Sequence, residues 1–125
     1  MNNEKRQREQ ARAIAELAAN TLDNKKGMDV TTLEVSEQTI LADYFVLATG
    51  TSNTHVRALA GEVELKLKEE LGIEPSHIEG ASGDAWTLLD YGCVVIHVFT
   101  SQARDFYKLE RLWSGNEIKF GGSEE

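Results

Sequence analysis

The sequence has one cysteine, Cys93, and one proline, Pro75. A single thiol excludes an intrachain disulfide, so the domain must stand on its own core. The longest apolar run is five residues, 44–48, far short of the ~20 that a membrane-spanning helix needs. The N-terminus shows no secretory signal pattern, and a cytoplasmic location is expected. Positive charge is scarce as well: 13 Lys and Arg face 21 Asp and Glu, for a net charge of −8. Nucleic-acid binders carry a basic stripe that displaces phosphate counterions, and this chain would on average be repelled by a polyanion. Sequence-specific nucleic-acid binding is therefore not expected. An acidic surface favours solubility, or attraction to a basic protein.

Catalytic patterns are also missing. No Asp-x-Asp pair occurs anywhere, although such a pair is what holds Mg²⁺ for nucleotidyl transfer. Asp84 and Asp90 flank a strand and fall at its opposite ends. His55 and His77 have no acid or cysteine cluster at metal-ligand spacing, so neither a metal nor another cofactor is expected. Cys93 opens an apolar strand, where a thiol packs as a small hydrophobe more readily than it reacts. Residues 49–52, Thr-Gly-Thr-Ser, lie between a strand and a helix and could present backbone N–H groups to a phosphate. They lack the Walker lysine and the full GxGxxG fingerprint, and helix capping accounts for each of them.

What is present is enough for one domain: 125 residues, 41% apolar. A chain of this length buries roughly two-thirds of its extended surface. Residues 4–24 are helical by pattern, with Ile14, Leu17, Ala18 and Leu22 on one face. Lys25, Lys26 and Gly27 form the stop, Gly27 being the residue suited to left-handed geometry. Residues 28–35 follow as a strand. Residues 43–49 read as a buried central strand, an apolar run too short for a helix and rich in β formers. The next helix starts from one of Thr51, Ser52, Asn53 or Thr54 and runs to Leu71, with Val56, Leu59, Ala60, Val63, Leu67 and Leu71 on one stripe. Gly72 ends it. Residues 77–79 are extended, and residues 80–83 form a loop.

Two strands, 85–90 and 93–99, are separated only by Tyr91 and Gly92, which predicts a two-residue hairpin with Gly92 at positive φ. A last helix, capped by Thr100 or Ser101, runs to Trp113 with Phe106, Leu109 and Trp113 inward. Residues 1–113 thus form one domain, fraying over 1–9, and the Gly-, Ser- and Glu-rich residues 114–125 read as a mobile acidic tail. The expected fold is α/β (α+β), a single mixed five-stranded sheet with helices packed on it.

Strand alternation sets Trp86, Leu88 and Asp90 on one face of their strand. It sets Val95, His97 and Phe99, with Cys93, on one face of the next. Trp86 has two readings, a core residue or an interface anchor rimmed by Asp84 and Asp90. His97 is either a hydrogen-bonded structural residue or part of an interface.

The segments DYFVLATGTSNTHVRALAGEVELKLKEELG, GDAWTLLDYGCVVIHVF and ARDFYKLERLW closely resemble the Iojap-related family of ribosomal silencing factors. The match spans residues 14–113, and the combination DYF…TG.S, W..LDYG, HVF and FY.LE.LW is more specific than any single piece. The residue after YG departs from the pattern: the family commonly has an acid where this chain has Cys93. The resemblance implies a nucleotidyltransferase-like topology without the active site, and no enzymatic activity. It implies binding to the large ribosomal subunit through its protein number fourteen, on the intersubunit face. There the factor blocks joining of the small subunit and represses translation when nutrients are short. It also implies a homodimer when free. The partner-binding residues expected from this match and from the strand alternation are Asp84, Trp86, Asp90, Tyr91, His97 and Phe99. The competing reading is a residual nucleotide-binding or nucleotidyltransferase enzyme.

Overall fold

The structure is a computed structural model describing residues 2–37, 39, 42–80, 85–107 and 116–118. Helix α1, Asn2–Asn24, starts earlier than its apolar pattern. Its inner stripe is Ala11, Ile14, Ala15, Ala18 and Leu22, all buried. The spacing of the alanines by four and three residues keeps them on one face and lets the helix lie close to its neighbours. At its end, Lys26 and not Gly27 takes the left-handed conformation, with φ 71°. Gly27 is required for a different reason. Its N–H donates to the Leu22 carbonyl at 2.8 Å, and a Cβ there would lie 2.8 Å from that same oxygen.

Strand β1, Met28–Glu34, pairs antiparallel with β2, Tyr44–Gly50. Their register shifts between Met28 and Thr31, where Asp29 has φ 49°, a bulge that adds local twist. Every residue of β2 is buried, as expected for a continuous apolar run at a sheet centre.

Helix α2 is Asn53–Leu71. Of its four candidate caps the structure selects Ser52, whose Oγ accepts the His55 N–H at 3.1 Å. Val56, Leu59, Ala60, Val63 and Leu67 are buried as their spacing predicts, whereas Leu71 is 40% exposed. Gly72 closes the helix with φ 68°. Beyond it run β3, His77–Glu79, β4, Trp86–Asp90, β5, Val94–Thr100, and α3, Ser101–Tyr107. Beyond Tyr107 the expected course of this helix, with Leu109 and Trp113, lies outside the described residues, as does the side chain of Phe106.

Among the described residues the sheet is mixed and has six strands, in the order β3-β4-β5-β2-β1-β6. The expectation was five. The sixth, β6, Asn116–Ile118, comes from the stretch read as a tail and pairs antiparallel with β1. Three residues are too few to show a period of two, so only the available β1 edge reveals them. β2 and β5 are parallel, joined through α2, β3 and β4; the other pairs are antiparallel. Helices α1 and α2 pack on one face, over Val46, Ala48, Leu89, Val94, Ile96 and Val98. The opposite face carries Leu33, Phe45, Leu47 and Phe99, with Ala103 of α3 against them.

Candidate partner-docking face

The hairpin register decides which side chains share a face. Trp86 pairs with Phe99, Leu88 with His97 and Asp90 with Val95. The turn is centred on Gly92 and Cys93, one residue later than the predicted Tyr91-Gly92. Tyr91 N–H donates to the Val94 carbonyl at 2.9 Å, and Gly92 has φ 85°. Moving the turn by one residue moves the pairing by two, and a two-residue shift keeps each side chain on its face. The set Trp86, Leu88, Asp90, Val95, His97 and Phe99 therefore lies together, on the side away from α1 and α2.

Three rings of this set stack. Trp86 and His97 lie 5.8 Å apart at 22°, Trp86 and Phe99 6.1 Å apart at 24°, and His97 and Phe99 6.2 Å apart at 21°. Phe45 meets His97 edge-on, at 5.4 Å and 74°. The Trp86 indole N–H donates to His97 Nδ1 at 3.2 Å. Accepting at Nδ1 requires a neutral imidazole with its proton on Nε2. Burial lowers the His97 pKa to about 4, against a smaller opposite effect of the Asp90 carboxylate, so the ring is neutral at pH 7.

The face divides into a closed part and an open part. At one end Arg104 of α3 reaches across, donating to the Asp29 carbonyl at 2.7 Å, Thr49 Oγ1 at 3.0 Å and Thr31 Oγ1 at 3.1 Å. Its guanidinium carbon sits 6.0 Å from the Phe99 ring centroid. Phe99 is 0% exposed and His97 6%. Both expected contact residues therefore lie beneath the surface of this chain. Trp86, Leu88, Asp90 and Val95 are half-buried. Next to them, Glu79 of β3 pairs with Leu88 in the ladder, and its Oε2 lies in hydrogen-bond contact with His77 Nε2 at 2.7 Å.

The remaining candidates fall elsewhere. Tyr91 packs with the helix-side core. Its hydroxyl is buried without a hydrogen-bond partner among the described residues, and burial with the Glu64 and Glu74 carboxylates raises its pKa. Cys93 also packs on the helix side, not with His97, because it belongs to the turn and escapes strand alternation. Burial and the Asp43 carboxylate raise its thiol pKa, against thiolate chemistry. Asp90 has a structural task, its Oδ1 accepting the Gly92 N–H at 2.8 Å. Asp84 lies outside the described residues. Leu88, Val95 and Glu79 were not among the sequence candidates. Alternation already places Leu88 beside Trp86 and Val95 beside His97 and Phe99, whereas Glu79 needs the ladder register.

The strand–turn–helix at Gly50–Ser52 is occupied by its own capping. Beyond the Ser52 cap, Thr51 N–H donates to His55 Nδ1 at 2.9 Å. A Cβ on Gly50 would lie 3.0 Å from Val56 N, so the glycine serves close packing of α2. Among the described residues, no group of three or more His, Cys, Asp or Glu is placed to hold a metal ion. Nor is any helix among them long and apolar enough to cross a membrane.

The profile of the family described as "Ribosomal silencing factor during starvation" (RsfS) matches residues 8–124. The chain belongs to the RsfS family. The family match extends past Trp113, where the sequence resemblance was taken to end. The ribosomal silencing factor RsfS of Chromobacterium violaceum is 41% identical over 107 residues, covering 86% of this chain and 87% of the relative. That of Halalkalibacterium halodurans is 39% identical, covering 80% and 85%. A crystal structure of a Chromobacterium violaceum protein superposes with a TM-score of 0.79 at 39% identity, over 90% of this chain and 92% of that one. The chain thus shares its mixed sheet and packed helices with that solved structure.

Proposed function

We propose that this chain binds the large ribosomal subunit through its protein number fourteen and, by occupying the intersubunit face, sterically blocks joining of the small subunit. Repression of translation under nutrient limitation follows from that occlusion, with no turnover. The observation that carries this reading is the open part of the sheet face, where Trp86, Leu88 and Val95 are half-buried. Asp90 and Glu79 lie on the same face, in register with Val95 and Leu88. An apolar aromatic centre with an acidic rim suits a basic protein, through ion pairs and cation–π contact with Arg and Lys. The net charge of −8 supports the same choice of partner. In the free state, we expect the protein to pair as a homodimer in the cytoplasm.

The test is co-sedimentation with purified large subunits, with and without excess small subunits. Pelleting with large subunits, together with fewer joined ribosomes, is the expected result. Rim charges make docking salt-sensitive, so an affinity unchanged between low and high salt would remove the acidic rim from the argument. A Mg²⁺-dependent rise in melting temperature with nucleotide would instead favour the nucleotidyltransferase reading.

A further inference from the structure

We infer that His97 is a positioning residue for Trp86: its imidazole fixes the indole, by hydrogen bond and by stacking, in the orientation that meets the partner. The inference rests on the docking reading above and deepens it. His97 is 6% exposed, so a partner cannot reach it, whereas Trp86 is half-buried and can be reached. The Nε1–Nδ1 hydrogen bond of 3.2 Å directs the indole edge, and the stack at 5.8 Å and 22° directs its plane. His97 is itself held, by Phe45 edge-on at 5.4 Å and by Phe99 alongside at 6.2 Å.

A purely structural role would be better served by another residue type. The neighbours of His97 along β5 are Ile96 and Val98, and across the sheet it faces Leu47 and Leu88, so the site would accept an apolar side chain. Burying an imidazole there is unfavourable, since a buried polar group needs its hydrogen bond to compensate. What the imidazole adds is a neutral acceptor aimed at the indole N–H. Asp90 is the charged group that acts on it, and it opposes the lowering of the imidazole pKa. A side chain held in its bound rotamer loses less entropy on association, a difference of about three- to tenfold in affinity for one large side chain.

Three measurements test this. In the wild type, the Trp86 indole N–H resonance, assigned with Trp113→Phe, is followed as pH falls through the His97 titration. Protonation of Nδ1 removes the acceptor, so the indole signal should move in the same step as the imidazole; an indole signal that ignores the imidazole overturns the inference without any variant at His97. In large-subunit pelleting, His97→Phe keeps a ring and removes the acceptor, and should weaken binding about three- to tenfold. His97→Gln restores an acceptor and should recover part of the loss. Trp86→Ala is the control: if it weakens binding while His97→Phe does not, the positioning role fails and the docking face stands. If Trp86→Ala binds like the wild type, the docking face fails, and this inference with it.

Discussion

The two faces of the sheet are built from the same strands and solve different problems. The helix-covered face is mostly aliphatic and closed: Val46, Ala48, Leu89, Val94, Ile96 and Val98 lie under α1 and α2 with essentially no exposure, and Tyr44 and Tyr91 join them there. The other face carries rings and a buried imidazole, and it is closed where Arg104 and α3 reach over it but open along β4. Burial energy is non-directional, so the covered face needs only volume and packing. The second face has directional contacts instead: stacking angles, one indole–imidazole hydrogen bond and a guanidinium fork. A core alone does not require these. They suit a surface whose side chains must keep one orientation while partly exposed.

The comparison can be broken by mutation, most sharply on the covered face. Ile96→Ala leaves a cavity beneath two helices and should cost about 2–5 kcal/mol of folding stability, read from urea melts. Binding by the fraction that remains folded should be unchanged. A loss of binding in the folded fraction as large as that of Trp86→Ala would mean that the two faces do not divide stability from docking.

The second test uses protons. Folding lowers the His97 pKa from 6.5 to about 4, so between these values the unfolded chain binds more protons than the folded one. Stability is therefore full above pH 6.5 and falls as pH drops toward 4. The His97 share is roughly 3 kcal/mol across that window. Urea midpoints from pH 7.5 to 4.5 should fall more steeply in the wild type than in His97→Phe; parallel curves would show that the imidazole is not buried neutral.

The open face gives a third and smaller effect. Trp86→Ala should weaken large-subunit binding by about 2 kcal/mol, some thirtyfold. Because the ring is half-buried, its stability cost should fall below the ~3–5 kcal/mol of a fully buried tryptophan. A full core-sized loss of stability would move Trp86 from the docking surface to the core. The smallest effect is expected at a site that belongs to neither face. Ser52→Ala removes the α2 cap and should cost about 1 kcal/mol, with binding intact; a large loss of binding would point to a function for the 49–52 turn beyond capping.

Much of this was legible in the sequence. Helix stripes, the buried run at 44–48 and the alternation through 86–90 and 94–99 are local periodicities, and each follows from backbone geometry alone. That is why the faces of Trp86, Leu88, Asp90, His97 and Phe99 are already assigned by alternation, and why a misplaced turn centre left them unchanged. What local pattern cannot contain is the third dimension of each face. Phe99 is covered by Arg104, which reaches Asp29 from 75 residues away, and His97 lies among Phe45, Trp86 and Phe99. Only the three-dimensional packing assigns the left-handed turn to Lys26 and puts Tyr91 and Cys93 on the helix side. It alone also provides the β1 edge that draws residues 116–118 into the sheet. Sequence determined which residues can share a surface, because side-chain direction is set by the chain's own period. Tertiary structure decided which of them a partner can touch, because exposure depends on segments distant along the chain.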